Sequence, residues 1–489
     1  MIVKKLINYG LLPLAGIYLV LLIPDSNSSH VKIAEANAFV WNMDERWKNL
    51  ETEFTRLKKL NKPSLDSLYQ SHHTTLQAQL NLLLEDSVVH YNDARLLQML
   101  DSFFEATPLA AATQHATEYL ALYNTARKLV KRQSQHWDLN SSEQRNSIYA
   151  LLYGMRAAIE EVLLQADTVN FNAVQYVTDE SSETPSAMLQ GIRVHSGDLL
   201  LSRGGAEVSA FISRGNDYPG NFSHVALLYI SETGQPEFIE AHIEKGVAIA
   251  SADEYMKDKK LRFMVLRPRA GLSQLKANPM LPHLAALYAK QESEKRHIPY
   301  DFKMNFYDST TMFCSEVGSY AYKKHGIQLW QAESTISSAG TARWLGAFGV
   351  ENFVTQMPSD LEYDPQLSIV AEWCDPETLL KDHIDNAVMD ALLEQANVGK
   401  EIEYSVWLLP IARVVKGYSM LQNAFDKPGI IPEGMSATQA LKNNSFVEMY
   451  QAVRSGTEEK VTTFTQKNGY RPPYWQLVEF AVEATNQPH

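Results

Sequence analysis

The feature that most restricts the fold is a change of hydrophobic period near residue 180. Before it, apolar residues recur three and four apart, as a helix face requires. Trp41, Trp47, Leu50, Phe54 and Leu57 open the series, and the segments 76–89, 94–104, 111–133 and 143–166 repeat it. Pro63-Ser64 and Thr107-Pro108 punctuate the series, and Ser141 with Gln144 has the spacing of a capping box. The polar stretch Thr178 to Pro185 ends this pattern. After it come five short apolar runs with turns between them, at 197–203, 222–230, 237–243, 246–249 and 262–267. Such a series predicts a strand meander or a small barrel. Helical spacing returns over 281–292, and from Glu377 to the end, with breaks at Pro410, Lys427-Pro428-Gly429 and Arg471-Pro472-Pro473. The chain therefore reads as α+β, a small antiparallel sheet or barrel between two all-helical flanks.

The N-terminus carries a second constraint. Lys4 and Lys5 precede Leu6 to Ile23, eighteen residues without a charge. That length is at the lower limit for crossing a bilayer and long for the core of a cleaved signal peptide. The lysines place the N-terminus in the cytoplasm and the body of the chain outside it, on the periplasmic side in a Gram-negative cell. An uncleaved signal anchor is the expectation, with a cleaved peptide as its alternative. The resulting division is a signal segment at 1–30, a helical domain at 31–177, a domain at 190–373 that carries the chemistry, and a helical region at 377–489.

A net charge of −13 argues against a nucleic-acid surface, which should be basic. No spacing of Cys, His or carboxylates suggests a metal site, and no cofactor is expected. The two cysteines, Cys314 and Cys374, do not form a CxxC pair, and a disulfide between them stays open.

Cys314 sits where helical spacing begins, followed by Val317, Tyr320 and Ala321. A cysteine in the first helical turn meets unpaired backbone N–H groups and the positive end of the helix dipole, which favour the thiolate. A cysteine hydrolase also needs a base and a group to orient that base. His224 lies in a strand-like run with Phe222, Ala226 and Leu228 as period-two neighbours. Glu240 lies in the next run between Phe238 and His242, and a carboxylate on an apolar face needs a partner. A hairpin centred near Thr233 sets His224 opposite His242, with Glu240 on the diagonal. A two-residue shift would instead set Glu240 directly opposite. His242 is thus a rival base or a residue at the edge of the site. Asp198 and Asp301 read as turn and capping residues, Glu316 as a dipole partner of the cysteine helix, and Tyr300 as a packed aromatic or an oxyanion donor.

The ordered set Gly197-Asp198-Leu199-Leu200, Phe222-Ser223-His224-Val225, Ile239-Glu240-Ala241 and Phe313-Cys314-Ser315-Glu316 resembles the circularly permuted papain-like cysteine hydrolases of the NlpC-related superfamily, and their YiiX/YebB-like group in particular. Met357-Pro358-Ser359-Asp360-Leu361 is similar to that group's tail. The order His, Glu, Cys is the mark of the permuted branch. The resemblance covers about Gly191 to Trp373. It implies Cys314 as nucleophile, His224 as base and Glu240 as orienting group, acting on an amide through a thioester. Cell-wall peptides are the expected substrate. Lipid acyl hydrolysis or transfer is the alternative, and so is a non-catalytic membrane-tethered scaffold.

Overall fold

In a computed structural model, the structure describes residues 12–25, 43–113, 115–165, 172–258, 260–425 and 427–486. Helix α1 (Leu12–Leu21) is followed by a bundle of α2 (Met43–Leu57), α3 (Lys62–Glu85), α4 (Ala94–Ala112), α5 (Ala116–Gln133) and α6 (Ser142–Gln165). Residues 6–11 of the apolar run, together with Trp41, lie outside the described residues. Among the described residues no helix is long and apolar enough to cross a membrane.

Two local expectations are corrected here. Pro108 does not end a helix but lies inside α4. The neighbouring Thr107 hydroxyl bonds the Phe103 carbonyl at 2.9 Å, and Tyr119 donates to the same carbonyl at 2.6 Å. These bonds, in a buried setting, support the turn that a proline weakens by lacking an N–H. Gln144 reaches back to the Asp138 N–H at 2.7 Å, one loop before the Ser141 position.

The main sheet has seven strands: β1 (Val174–Tyr176), β2 (Leu199–Gly204), β3 (His224–Ile230), β4 (Pro236–His242), β5 (Gly246–Ser251), β6 (Lys260–Pro268) and β7 (Leu367–Cys374). Their spatial order is β1-β7-β6-β2-β3-β4-β5, and all pairs are antiparallel. The sheet is open, so the barrel expectation gives way to a meander, β2 to β5, extended on one side by β6, β7 and β1. β1 precedes the polar stretch at 178–185, inside the segment read as helical, because three residues are too few to show a period.

Successive residues of β2 and β3 enter apolar clusters on opposite faces. Leu199, Leu201, Val225 and Leu227 join one, and Leu200, Ala226 and Leu228 the other. Burial on both faces explains why these strands read as unbroken apolar runs. The first cluster continues into the N-terminal bundle, through Leu129, Met155 and Ile159. Phe222 belongs to it rather than with Ala226, because β3 begins only at His224.

Helices α7 (Glu207–Arg214), α8 (Leu281–Lys295) and α9 (Cys314–Lys324) accompany the sheet, and the C-terminal flank is α10 (Pro376–Asn397), α11 (Leu409–Asn423), α12 (Ala437–Asn468) and α13 (Tyr474–Thr485). Buried ion pairs join both flanks to the sheet. Arg127 of α5 and Arg156 of α6 each bond Glu372 of β7 at 2.5 Å. Arg203 of β2 pairs with Asp382 of α10 at 3.1 Å, and Arg262 of β6 pairs with it at 2.7 Å.

Candidate active site

Cys314 is the first residue of helix α9 (Cys314–Lys324), which packs against β3 and β4. The helix comes close to the sheet because Gly318 has no side chain. A Cβ there would lie 2.5 Å from Leu199 Cδ2. Phe313 takes the extended conformation at the N-cap, and its N–H donates to Glu316 Oε2 at 2.8 Å. Cys314 is buried, and its Sγ lies 3.8 Å from the Ser223 carbonyl oxygen. Cys374 is also buried, and both cysteines are free. Burial pushes the Cys374 thiol well up.

His224 opens β3 beside Cys314. Its Nε2 donates to Glu240 Oε2 at 2.6 Å, so Nδ1 is left for the hydrogen bond with Cys314. Glu240 Oε1 takes a second bond, from His242 Nε2 at 2.9 Å. One buried carboxylate therefore holds two imidazoles. Burial works against charge on His224, but its bonds to Cys314 and Glu240 and their charges outweigh that, raising the imidazole to about 9. Burial likewise opposes charge on Glu240, and the bonds from His224 and His242 overcome it, holding the carboxyl below the usual carboxylate range.

The register agrees with a hairpin centred on Thr233. Leu227 pairs with Ile239, and Ile230 with Pro236. Glu240 thus reaches His224 along the diagonal, and the two-residue shift does not occur.

The segment before His224 is clamped from the far end of the region. Ser359 Oγ donates to the Phe222 carbonyl and accepts from the Phe222 N–H, both at 3.0 Å. Gly220 permits this contact, since a Cβ there would come within 2.2 Å of Ser359 Oγ. Asp360 accepts from the Met357 N–H and the Ser334 hydroxyl, each at 2.5 Å. Met357 to Leu361 therefore positions the strand that carries His224. The stretch was visible in the sequence, but this task was not, because it depends on a contact 137 residues away.

Cys314, His224, Glu240, His242 and Tyr300 border one cleft of about 820 Å³. Burial, with the nearby Cys314, raises the Tyr300 phenol well above its ordinary value, so it stays protonated. The C-terminal flank contributes Lys381 of α10 and Pro428 of the turn after α11 to the same cleft. Lys381 carried no signal in the sequence, and Pro428 read only as a break in helical spacing.

Three other expected residues fall outside the chemistry. Asp198 is buried and takes two bonds from Arg267 at 2.8 Å and one from the His195 N–H at 2.7 Å. Asp301 accepts from the Lys303 and Asn305 N–H groups, as a turn residue does. Glu316 is buried, and burial with neighbouring Asp301 and Cys314 raises its carboxyl to about 9 despite the Phe313 bond. A carboxyl that is neutral at pH 7 adds no charge to the helix dipole, so Glu316 caps α9 by hydrogen bonding.

Residues 193–371 match the model of the permuted papain-like amidase enzymes, the YaeF/YiiX, C92 family. This segment is a permuted papain-like cysteine amidase domain. The amidase domain spans β2 to β6, the cysteine helix and most of β7, and its match ends at Ala371. Its family consists of cysteine amidases and peptidases, so the chain is a cysteine hydrolase. No curated protein matches the chain.

Proposed function

We propose that the amidase domain cleaves an amide through Cys314, His224 and Glu240, from a chain anchored to the membrane by its N-terminal segment. The observation that carries this reading is a half-buried His224 bonded to a buried Glu240 beside the first residue of a helix, at the wall of an open cleft. His224 takes the Cys314 proton, and Glu240 holds the imidazolium in place. The thiolate attacks the carbonyl carbon, and the oxyanion is met by the Cys314 N–H, which no intrahelical acceptor claims. Tyr300, protonated and lining the same cleft, supplies a second donor. The leaving amine takes the proton from His224 as the thioester forms. Water then attacks the thioester, and the thiol is restored.

Cell-wall stem peptides are the amides that such a chain meets outside the cytoplasm. Incubation with purified sacculi should release stem-peptide fragments, and the Cys314→Ala protein should release none. Equal release by both proteins overturns the assignment of the nucleophile, and release by neither overturns the substrate.

A further inference from the structure

Helix α11 presents an apolar stripe to the exterior. Trp407, Ile411, Val414, Tyr418, Leu421 and Phe425 follow one another at spacings of four and three, and each is exposed. The opposite side is buried through Leu409, Ala412 and Ser419. Between Leu409 and Asn423 there is no acidic residue, in a chain of net charge −13, while Arg413 and Lys416 are present.

The stripe extends beyond its helix. Helix α1 packs along α11. The Tyr18 hydroxyl donates to the Trp407 carbonyl at 3.2 Å. Asp25 accepts from Arg413 at 2.9 Å and from the Thr438 hydroxyl at 2.9 Å. Leu19, Val20 and Ile23 remain exposed on this helix end. On the other side, the turn after α11 exposes Ile430 and lends Pro428 to the catalytic cleft. One exposed apolar surface therefore runs from α1 to the turn that borders the cleft.

We infer that this surface lies in the headgroup region of a bilayer and holds the cleft mouth against the lipid, so that the hydrolase takes an amphiphile presented by the membrane. The inference about substrate rests on the cysteine-hydrolase reading; the membrane seat does not. A second copy of the chain could cover a narrow stripe of 4-3 spacing. This surface is broader, since α1 and the 428–430 turn enlarge it, and it takes in the exposed Tyr18, Leu19, Val20 and Ile23 of the apolar run. Trp407, Tyr18 and Tyr418 are the amphipathic aromatics that favour a membrane interface, and no acidic residue of α11 repels anionic lipid.

The test uses the full chain in vesicles of phosphatidylethanolamine and phosphatidylglycerol with brominated acyl chains. The emission lost on Trp407→Phe isolates the contribution of Trp407. Quenching of that contribution by about twofold or more is expected for a residue at the acyl boundary. The triple variant Ile411→Ser, Val414→Ser, Leu421→Ser should float with the vesicles yet lose the quenching. An unquenched Trp407 overturns the seat, and so does chemical crosslinking of two copies through α11. In the same vesicles, a lipid-anchored amide should be cut faster than its water-soluble counterpart. Equal rates overturn the substrate inference. Failure to cut either, with the quenching intact, counts against the hydrolase reading instead.

Discussion

Two buried glutamates in this molecule each hold a histidine, and they lead to different ends. Glu240 bonds His224 at 2.6 Å and His242 at 2.9 Å, at the edge of a cleft and beside a cysteine. Glu160 of α6 bonds His383 of α10 at 2.8 Å and also pairs with Arg262 of β6. Both carboxyls are held low against the cost of burial by their cationic or hydrogen-bonding partners. The difference is what lies beyond the histidine. His224 faces a thiol and room for a substrate, whereas Glu160 and His383 border only a small polar recess. A histidine–carboxylate pair is therefore a chemical site only when a nucleophile and a void complete it. Without them it is a clasp, here joining both helical flanks to the sheet.

Cys314→Ala should abolish hydrolysis outright, with the unfolding midpoint nearly unchanged by thermal denaturation. His224→Ala should lower kcat by about 10²–10⁴-fold, the range of a general base. Glu240→Gln keeps the shape but frees the imidazole, and a loss of about 10²-fold in kcat is expected. Glu160→Gln reverses the pattern. Taking one of two buried carboxylates from Arg262, which keeps Asp382, should cost about 1–3 kcal/mol of stability, read by urea denaturation, with little change in kcat per folded molecule. A Glu160 variant that stays stable but loses turnover would contradict the distinction. His242→Ala should stay within about tenfold of wild type, since it removes a single hydrogen bond from Glu240.

The proton on His224 gives a pH test. Its imidazole is raised to about 9, so the imidazolium persists through neutral pH and is lost as pH rises through about 9. Activity measured as kcat/KM should fall along that alkaline limb. The Glu240→Gln protein should lose imidazolium earlier, because the carboxylate no longer supports the charge. An unmoved alkaline limb in that variant would separate Glu240 from His224.

How far the sequence revealed this depended on contact distance along the chain. The strand runs, the cysteine helix and the α+β class were legible because each is a local period. His224 and Glu240 were legible because a tight hairpin places them 16 residues apart in sequence and adjacent in space. Pro108 misled, since a proline break is a local rule and the buried Thr107 and Tyr119 contacts that support it are tertiary. The Glu160–His383 clasp spans 223 residues and left no trace in any window. The reach of Lys381 and Pro428 into the cleft from the C-terminal flank was equally hidden, although Pro428 was legible as a helix break.

The central claim is that Cys314, not Cys374, carries the chemistry. Its most direct test is the alkylation rate of each cysteine in the folded chain, mapped by mass spectrometry with iodoacetamide between about pH 5 and pH 10. Cys314 should be modified rapidly in wild type and far more slowly in His224→Ala, while Cys374, a sealed thiol with a raised pKa, stays unmodified until the chain unfolds. Faster modification of Cys374, or a Cys314 rate indifferent to His224, would contradict the account.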